Sequence, residues 1–134
     1  MPKIVRWYLK TALVYFITAL LLNIALSVQN FLPAGLWPVY LHLLVVGWIS
    51  QLIIGVAIWM FPKYTQAEPR GKEWVNWSIY ALLNAGLLLR AGMEPLIALD
   101  PARLWQILLV ISALLQWVAG LLFAVTTWQR VKEK

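Results

Sequence analysis

Four long apolar runs separated by short polar breaks make up almost the whole chain. The first covers residues 11–28, behind Lys3, Arg6 and Lys10. Asn30 and Pro33-Ala34-Gly35 interrupt it, Pro38 opens a second run that continues from Val39 to Phe61, and Pro62 closes that one. Residues 63–73 are the only extended hydrophilic stretch and are too few for a domain. A third run begins near Trp74 and reaches Met93, where Pro95 is expected to end it. Asp100-Pro101 then places a proline where a first helical turn tolerates one, ahead of a fourth run from Ala102 to Arg130. Each run has about the 20 residues that carry a helix across some 30 Å of hydrocarbon at about 1.5 Å per residue. The pattern predicts an all-α membrane protein, a single four-helix transmembrane bundle over residues 1–134 with helices at about 5–29, 38–61, 74–93 and 102–130.

Composition agrees. At 63% hydrophobic and 12% charged residues, 134 residues carry too little polar surface for a soluble globule. The basic start, with Ala25-Leu26-Ser27 after the first run, also has the form of a signal peptide, but the run is long for one and a retained helix is expected. With no cysteine in the chain, disulfides, thiolate haem ligation, iron–sulfur clusters and a covalent c-type haem are excluded. The net charge of +6 sits beside the apolar runs and is explained by topology rather than by nucleic acid. Lys3, Arg6, Lys10, Lys63, Arg70, Lys72, Arg130, Lys132 and Lys134 all fall on one side, leaving Arg90 and Arg103 near the other, so both termini are expected to be cytoplasmic in a multi-pass inner-membrane protein. Trp7, Trp59, Trp74, Trp77 and Trp128 then mark the inner interface, and Trp37 and Trp105 the outer one. Trp48 and Trp117 lie deeper, where packing is expected of them.

Against this background the only histidine, His42, stands out, because an unpartnered polar group in hydrocarbon is costly. It lies about one turn below the outer boundary, and Arg90 reaches the same level at the outer end of the third helix, roughly 24 Å from Trp74. A neutral imidazole ligates iron, and a guanidinium offers forked donors to haem propionates. At about 100° per residue, Gly47, Gln51 and Gly55 form a close-packing stripe of the second helix, while Val45, Val46, Ile49 and Ile53 gather around the His42 direction. If the stripe faces the chain's own bundle, His42 faces lipid or another subunit; the opposite assignment brings it inside. On the third helix Asn76, Tyr80, Asn84, Arg90 and Glu94 share one face, which suits interhelical hydrogen bonds and an Arg90–Glu94 pair. The plainer reading of His42 is a hydrogen bond to a carbonyl or to Tyr40. Met93 is a second axial candidate whose plainer role is apolar filling.

Tyr40-Leu41-His42-Leu43-Leu44-Val45-Val46-Gly47-Trp48, continuing through Ile54-Gly55 to Met60-Phe61-Pro62, resembles the second helix of haem–copper oxidase subunit I, especially the cbb-type oxidases and the related NnrS-like membrane proteins. Asn84-Ala85-Gly86-Leu87-Leu88-Leu89-Arg90, with Glu94-Pro95-Leu96 after it, looks like the following helix in small subunit-I-like proteins. The family's large subunit is built of three four-helix units in a ring, with metal-binding histidines on the second helix of a unit. Its low-spin haem lies between two units and takes an axial histidine from each. The resemblance therefore implies that two copies of this chain each donate His42 to one haem b. The departures carry equal weight: there is no second histidine, no histidine pair for copper and no cross-linkable His–Tyr arrangement, so a binuclear oxygen- or nitric-oxide-reducing centre is not implied.

These readings converge on a haem b-binding membrane protein that transfers electrons or senses redox state or gas, with haem at a subunit interface on His42 and Arg90 beside a propionate. A homodimer is the simplest arrangement, and the three-unit family architecture keeps a trimer open. The redox partner is left unknown. A non-catalytic assembly or packing subunit of a larger membrane complex is the alternative, with His42 and Arg90 as polar glue; a small transporter comes third, because no span shows paired acidic residues. No catalytic constellation is visible in the chain.

Overall fold

The structure, a computed structural model, describes residues 1–28 and 35–131. They form four helices long and apolar enough to cross a membrane: α1 (Lys3–Ser27), α2 (Leu36–Met60), α3 (Glu73–Leu99) and α4 (Arg103–Trp128). The all-helical, multi-pass architecture expected from the apolar runs is therefore present. Asn30, Pro33, Ala34, Lys132 and Lys134, which entered the sequence reading as a helix break and as topological charges, lie outside the described residues.

Two helix boundaries follow directly from proline. Phe61 is extended at φ −64° and ψ 151° because Pro62 disfavours helical backbone in the residue before it, so α2 stops at Met60. Pro38 sits in the first turn of α2, where an amide N–H would have no intrahelical acceptor in any case. Pro95 behaves differently. The third helix was expected to end at Met93 but continues through Pro95 to Leu99. A proline inside a helix removes one backbone hydrogen bond, and membrane helices tolerate that where neighbouring structure covers the gap. Gly35 packs directly on this turn: a Cβ at this position would come within 2.7 Å of the Glu94 carbonyl oxygen and 3.2 Å of Pro95 Cα, and its φ of 94° lies in the left-handed region. Both the close approach and the dihedral call for glycine.

The molecule is two antiparallel hairpins, α1 with α2 and α3 with α4, packed side by side. Small residues close each hairpin. A Cβ on Gly47 would meet Tyr15 at 2.9 Å and one on Gly55 would meet Tyr8 at 2.7 Å, so the glycine stripe faces α1 within the chain's own bundle, with Gln51 fully buried between them. In the second hairpin Gly86 packs against Ser112 and Gln116. The apolar core runs through Val5, Tyr8, Ile58, Ile79 and Ala119 toward one end, and Tyr15, Ala19, Val39, Leu43 and Leu87 toward the other. Trp48 packs on Phe16 with ring centroids 4.1 Å apart, whereas Trp117 is 64% exposed and projects from the bundle. Helix α4 touches its neighbours through the narrow stripe that contains Ser112 and Ala119, which leaves its opposite face, Trp117 included, uncovered by the chain.

Polar side chains join the hairpins. Tyr8 Oη donates to the Asn76 carbonyl at 3.1 Å, the hydroxyls of Thr11 and Tyr80 share a hydrogen bond of 2.7 Å, and Tyr15 Oη donates to Asn84 Oδ1 at 2.8 Å. These three rungs hold α1 parallel to α3; the side chains of Tyr80 and Asn84 make the interhelical hydrogen bonds expected of the polar face of the third helix, whereas that of Asn76 donates to the Arg70 carbonyl at 3.2 Å. Arg130 supplies a fourth tie that the sequence had assigned only a topological role. It is 4% exposed, with Nε 2.9 Å from the Pro62 carbonyl oxygen and Nη2 2.8 Å from that of Phe61, so it caps the end of α2 from the end of α4. Burial, and then the nearby Arg70, lower its pKa from the ordinary guanidinium value.

Gly55→Leu should destabilise the fold by about 1–3 kcal/mol, because the side chain has no room against Tyr8. Gly120→Leu, where nothing lies within 4 Å of a Cβ, should melt like the wild type. Circular-dichroism melting in detergent compares the two; equal melting temperatures would refute the close-packed hairpin.

Candidate functional site

The middle of α2 is not an α-helix. Residues Leu43–Ser50 wind as a π-helix between the α-helical Leu36–His42 and Gln51–Met60 segments. In a π-helix the hydrogen bonds run between residues five apart, so such pairs come nearly into line, whereas on an α-helix they stand about 140° apart. The Ser50 hydroxyl follows the same spacing, donating to the Val45 carbonyl at 2.9 Å. Two departures from the sequence reading stand here. Val46, placed with the outward wall, packs instead against both apolar clusters, while Val45, Ile49 and Ile53 remain exposed. His42, expected to face lipid or another subunit if the Gly47 stripe faces the chain's own bundle, instead approaches Glu94 of α3.

There it finds Glu94. His42 Nδ1 lies 2.8 Å from the Pro38 carbonyl oxygen and 3.1 Å from Glu94 Oε1. A backbone carbonyl only accepts, so Nδ1 carries the proton and, in the neutral ring, the lone pair is left on Nε2. Nε2 has no hydrogen bond among the described residues, and the side chain is 30% exposed. The imidazole is therefore anchored through one nitrogen and open at the other.

Arg90 lies on the far side of the same carboxylate. Its Nη1 is 3.3 Å from Glu94 Oε1, its Nε donates to Ser112 Oγ at 3.3 Å and its Nη2 to the Leu109 carbonyl at 3.5 Å. Ser112, fully buried, in turn donates to the Gly86 carbonyl at 2.7 Å. The result is a continuous chain, His42–Glu94–Arg90–Ser112, that crosses from α2 through α3 to α4 near one end of the bundle. Glu94 holds one positive partner and one imidazole through a single oxygen; its Oε2 is buried and unpartnered among the described residues, as are both amide atoms of Gln51. Met93 is adjacent to Glu94 in sequence, but neighbouring residues on a helix do not share a direction, so it does not face His42 as Glu94 does.

The expected level of His42 and Arg90 is thus matched, and the pair is bridged rather than separate. What sequence reasoning missed was Glu94 as the partner of His42 and Ser112 as the partner of Arg90. Glu94 was visible on the Arg90 face, yet ending the third helix at Met93 and winding the second as a regular α-helix kept it away from the histidine. Ser112, in an otherwise apolar run, gave only the signal of a polar side chain in hydrocarbon. No family model, curated protein or solved structure matches the chain.

Removing one member of a buried ion pair strands the other. Glu94→Leu should therefore cost about 3–5 kcal/mol by leaving Arg90 uncompensated, and Arg90→Leu combined with Glu94→Leu should recover much of that loss. Denaturant unfolding of the single and double variants measures the coupling; strictly additive losses would show that the pair does not act as one unit.

Proposed function

We propose that this chain is a haem b-binding integral membrane protein that transfers electrons or senses redox state or gas, with His42 as axial ligand at a subunit interface. The observation that carries the reading is the state of the imidazole. Metal-ligating histidines characteristically give their second ring N–H to a carboxylate or a backbone carbonyl, which fixes the tautomer, orients the ring and raises the basicity of the ligating nitrogen. His42 Nδ1 is held by the Pro38 carbonyl with the Glu94 carboxylate 3.1 Å away, and Nε2 is open at the partly exposed surface of the bundle. The chain has one histidine and no cysteine, so it supplies few ligands for a bare ion; a porphyrin brings four nitrogens of its own and needs only an axial donor from each face.

In this reading Glu94 is the positioning residue for His42, and Arg90 holds Glu94. A guanidinium has five N–H donors, of which Arg90 commits three, and those remaining serve the haem propionates. Bound haem would supply a one-electron couple, and with histidine on both faces it has no open position for an external ligand, which favours electron transfer. A two-fold dimer that brings two copies of His42 to one iron meets this requirement, and the resemblance of residues 40–62 to the second helix of haem–copper oxidase subunit I points the same way. The distribution of Lys and Arg supports a reading with both termini in the cytoplasm and the chain in the inner membrane.

Protein purified in mild detergent from haem-replete cells should show a Soret band, with sharpened bands in the visible after dithionite. His42→Ala should bleach it, and added imidazole should restore the band if the ring alone was lost. Glu94→Gln should retain haem but shift its reduction potential, since the ligand loses its anionic partner. A colourless wild-type preparation that takes up no haem would overturn the proposal and leave an assembly subunit as the reading.

A further inference from the structure

We propose that the exposed face at the start of α1 is a binding site for an anionic phospholipid. An open groove of about 480 Å³ lies there, lined by Lys3, Arg6, Trp7, Lys10, Thr11 and Val14. Lys3, Arg6 and Lys10 are three and four residues apart, so one side of the helix presents all three cations. None takes part in an ion pair among the described residues, where the ion pair between permanently charged groups is Arg90–Glu94. The nearest acidic side chains do not share the groove: Glu68 and Glu73 line a different hollow beside Pro2 and Ile4, and Glu73 accepts a hydrogen bond from Trp77 Nε1 at 3.4 Å.

The shape of the surface separates a lipid from a free anion. Trp7 is 56% exposed and braced edge-on against Trp77, with centroids 6.5 Å apart, as suits an indole at headgroup level. Beyond Lys10 the same side of α1 becomes wholly apolar, and Val14, Ile17, Leu21 and Ile24 are each more than half exposed. Cations at one end of an uninterrupted apolar track are complementary to a phosphate head joined to acyl chains; a soluble phosphate would use only the first part. Basic clusters at the cytoplasmic ends of membrane helices recognise anionic lipids in this manner. The site stands apart from His42 and does not rest on the haem reading.

Native mass spectrometry of the full chain, titrated in detergent with phosphatidylglycerol or phosphatidylcholine, tests the proposal. The wild type should retain phosphatidylglycerol preferentially. The triple variant Lys3→Gln, Arg6→Gln, Lys10→Gln should lose that preference by about tenfold or more. A charge-matched variant, Lys63→Gln, Arg70→Gln, Lys72→Gln, should keep it. Glycerol 3-phosphate should fail to displace the bound lipid, and Trp7→Leu should weaken retention while leaving the melting temperature unchanged. Equal retention of the two lipids, equal losses in the two triple variants, or displacement by glycerol 3-phosphate alone would overturn the proposal, the last by reducing the site to one for a free anion.

Discussion

Hydrocarbon offers no hydrogen bonds, so a polar group that enters it is costly unless another part of the protein answers it; among the described residues the Gln51 amide and Glu94 Oε2 stand as buried exceptions. Within a helix the backbone answers itself, so the burden falls on side chains. In a bilayer an interhelical hydrogen bond adds only about 0.6 kcal/mol on average, while stranding a polar group in an apolar medium costs several kcal/mol. That asymmetry makes the polar pairs choose the arrangement more than they strengthen it. The rungs from Tyr8, Thr11 and Tyr15 to the third helix fix which faces of the two hairpins meet. Arg130 does the same at the ends of α2 and α4, where the last carbonyls of α2 would otherwise lack partners.

The same requirement accounts for the chain of contacts at the opposite end. Among the described residues Glu94 is the one acidic side chain buried in the bundle; Arg90 of its own helix pairs with it, and His42 Nδ1 of α2 lies 3.1 Å from it. Ser112 extends the compensation to α4. At His42 one ring nitrogen is committed and the other has no hydrogen bond among the described residues. The π-helical turn of Leu43–Ser50 follows His42 directly, and Gly47 and Gly55 stay against α1. Such turns sit often at functional positions, because they redirect a side chain without breaking the helix.

Apolar run length settled the number of spans, and proline settled the end of α2, because these are local properties that the backbone and the hydrocarbon thickness impose on any chain. Small-residue spacing marked Gly47, Gln51 and Gly55 as a close-packing stripe of α2 without deciding which neighbour it meets, and the Tyr80 and Asn84 spacing identified a packing face of α3, where the winding is regular. The reading of the candidate site was less complete: His42, Arg90 and Glu94 were legible as polar residues at one level, but not as a connected set. Pro95 signals a stop in isolation, yet the helix is carried through it where Gly35 packs close by. Arg130 looked like one more topological charge until the carbonyls at the end of α2 were brought to it.

The sequence by itself determined the class of molecule, the four spans and the presence of one imidazole in an apolar run, because composition and period are read residue by residue. The tertiary structure alone decided which nitrogen of that imidazole is held and by what. Pro38 is local to it, but Glu94 lies 52 positions further on, and its approach to the ring depends on how α2 packs between its neighbours. A hydrogen bond across helices depends on their mutual register and rotation, and neither quantity is encoded in any single stretch of the chain.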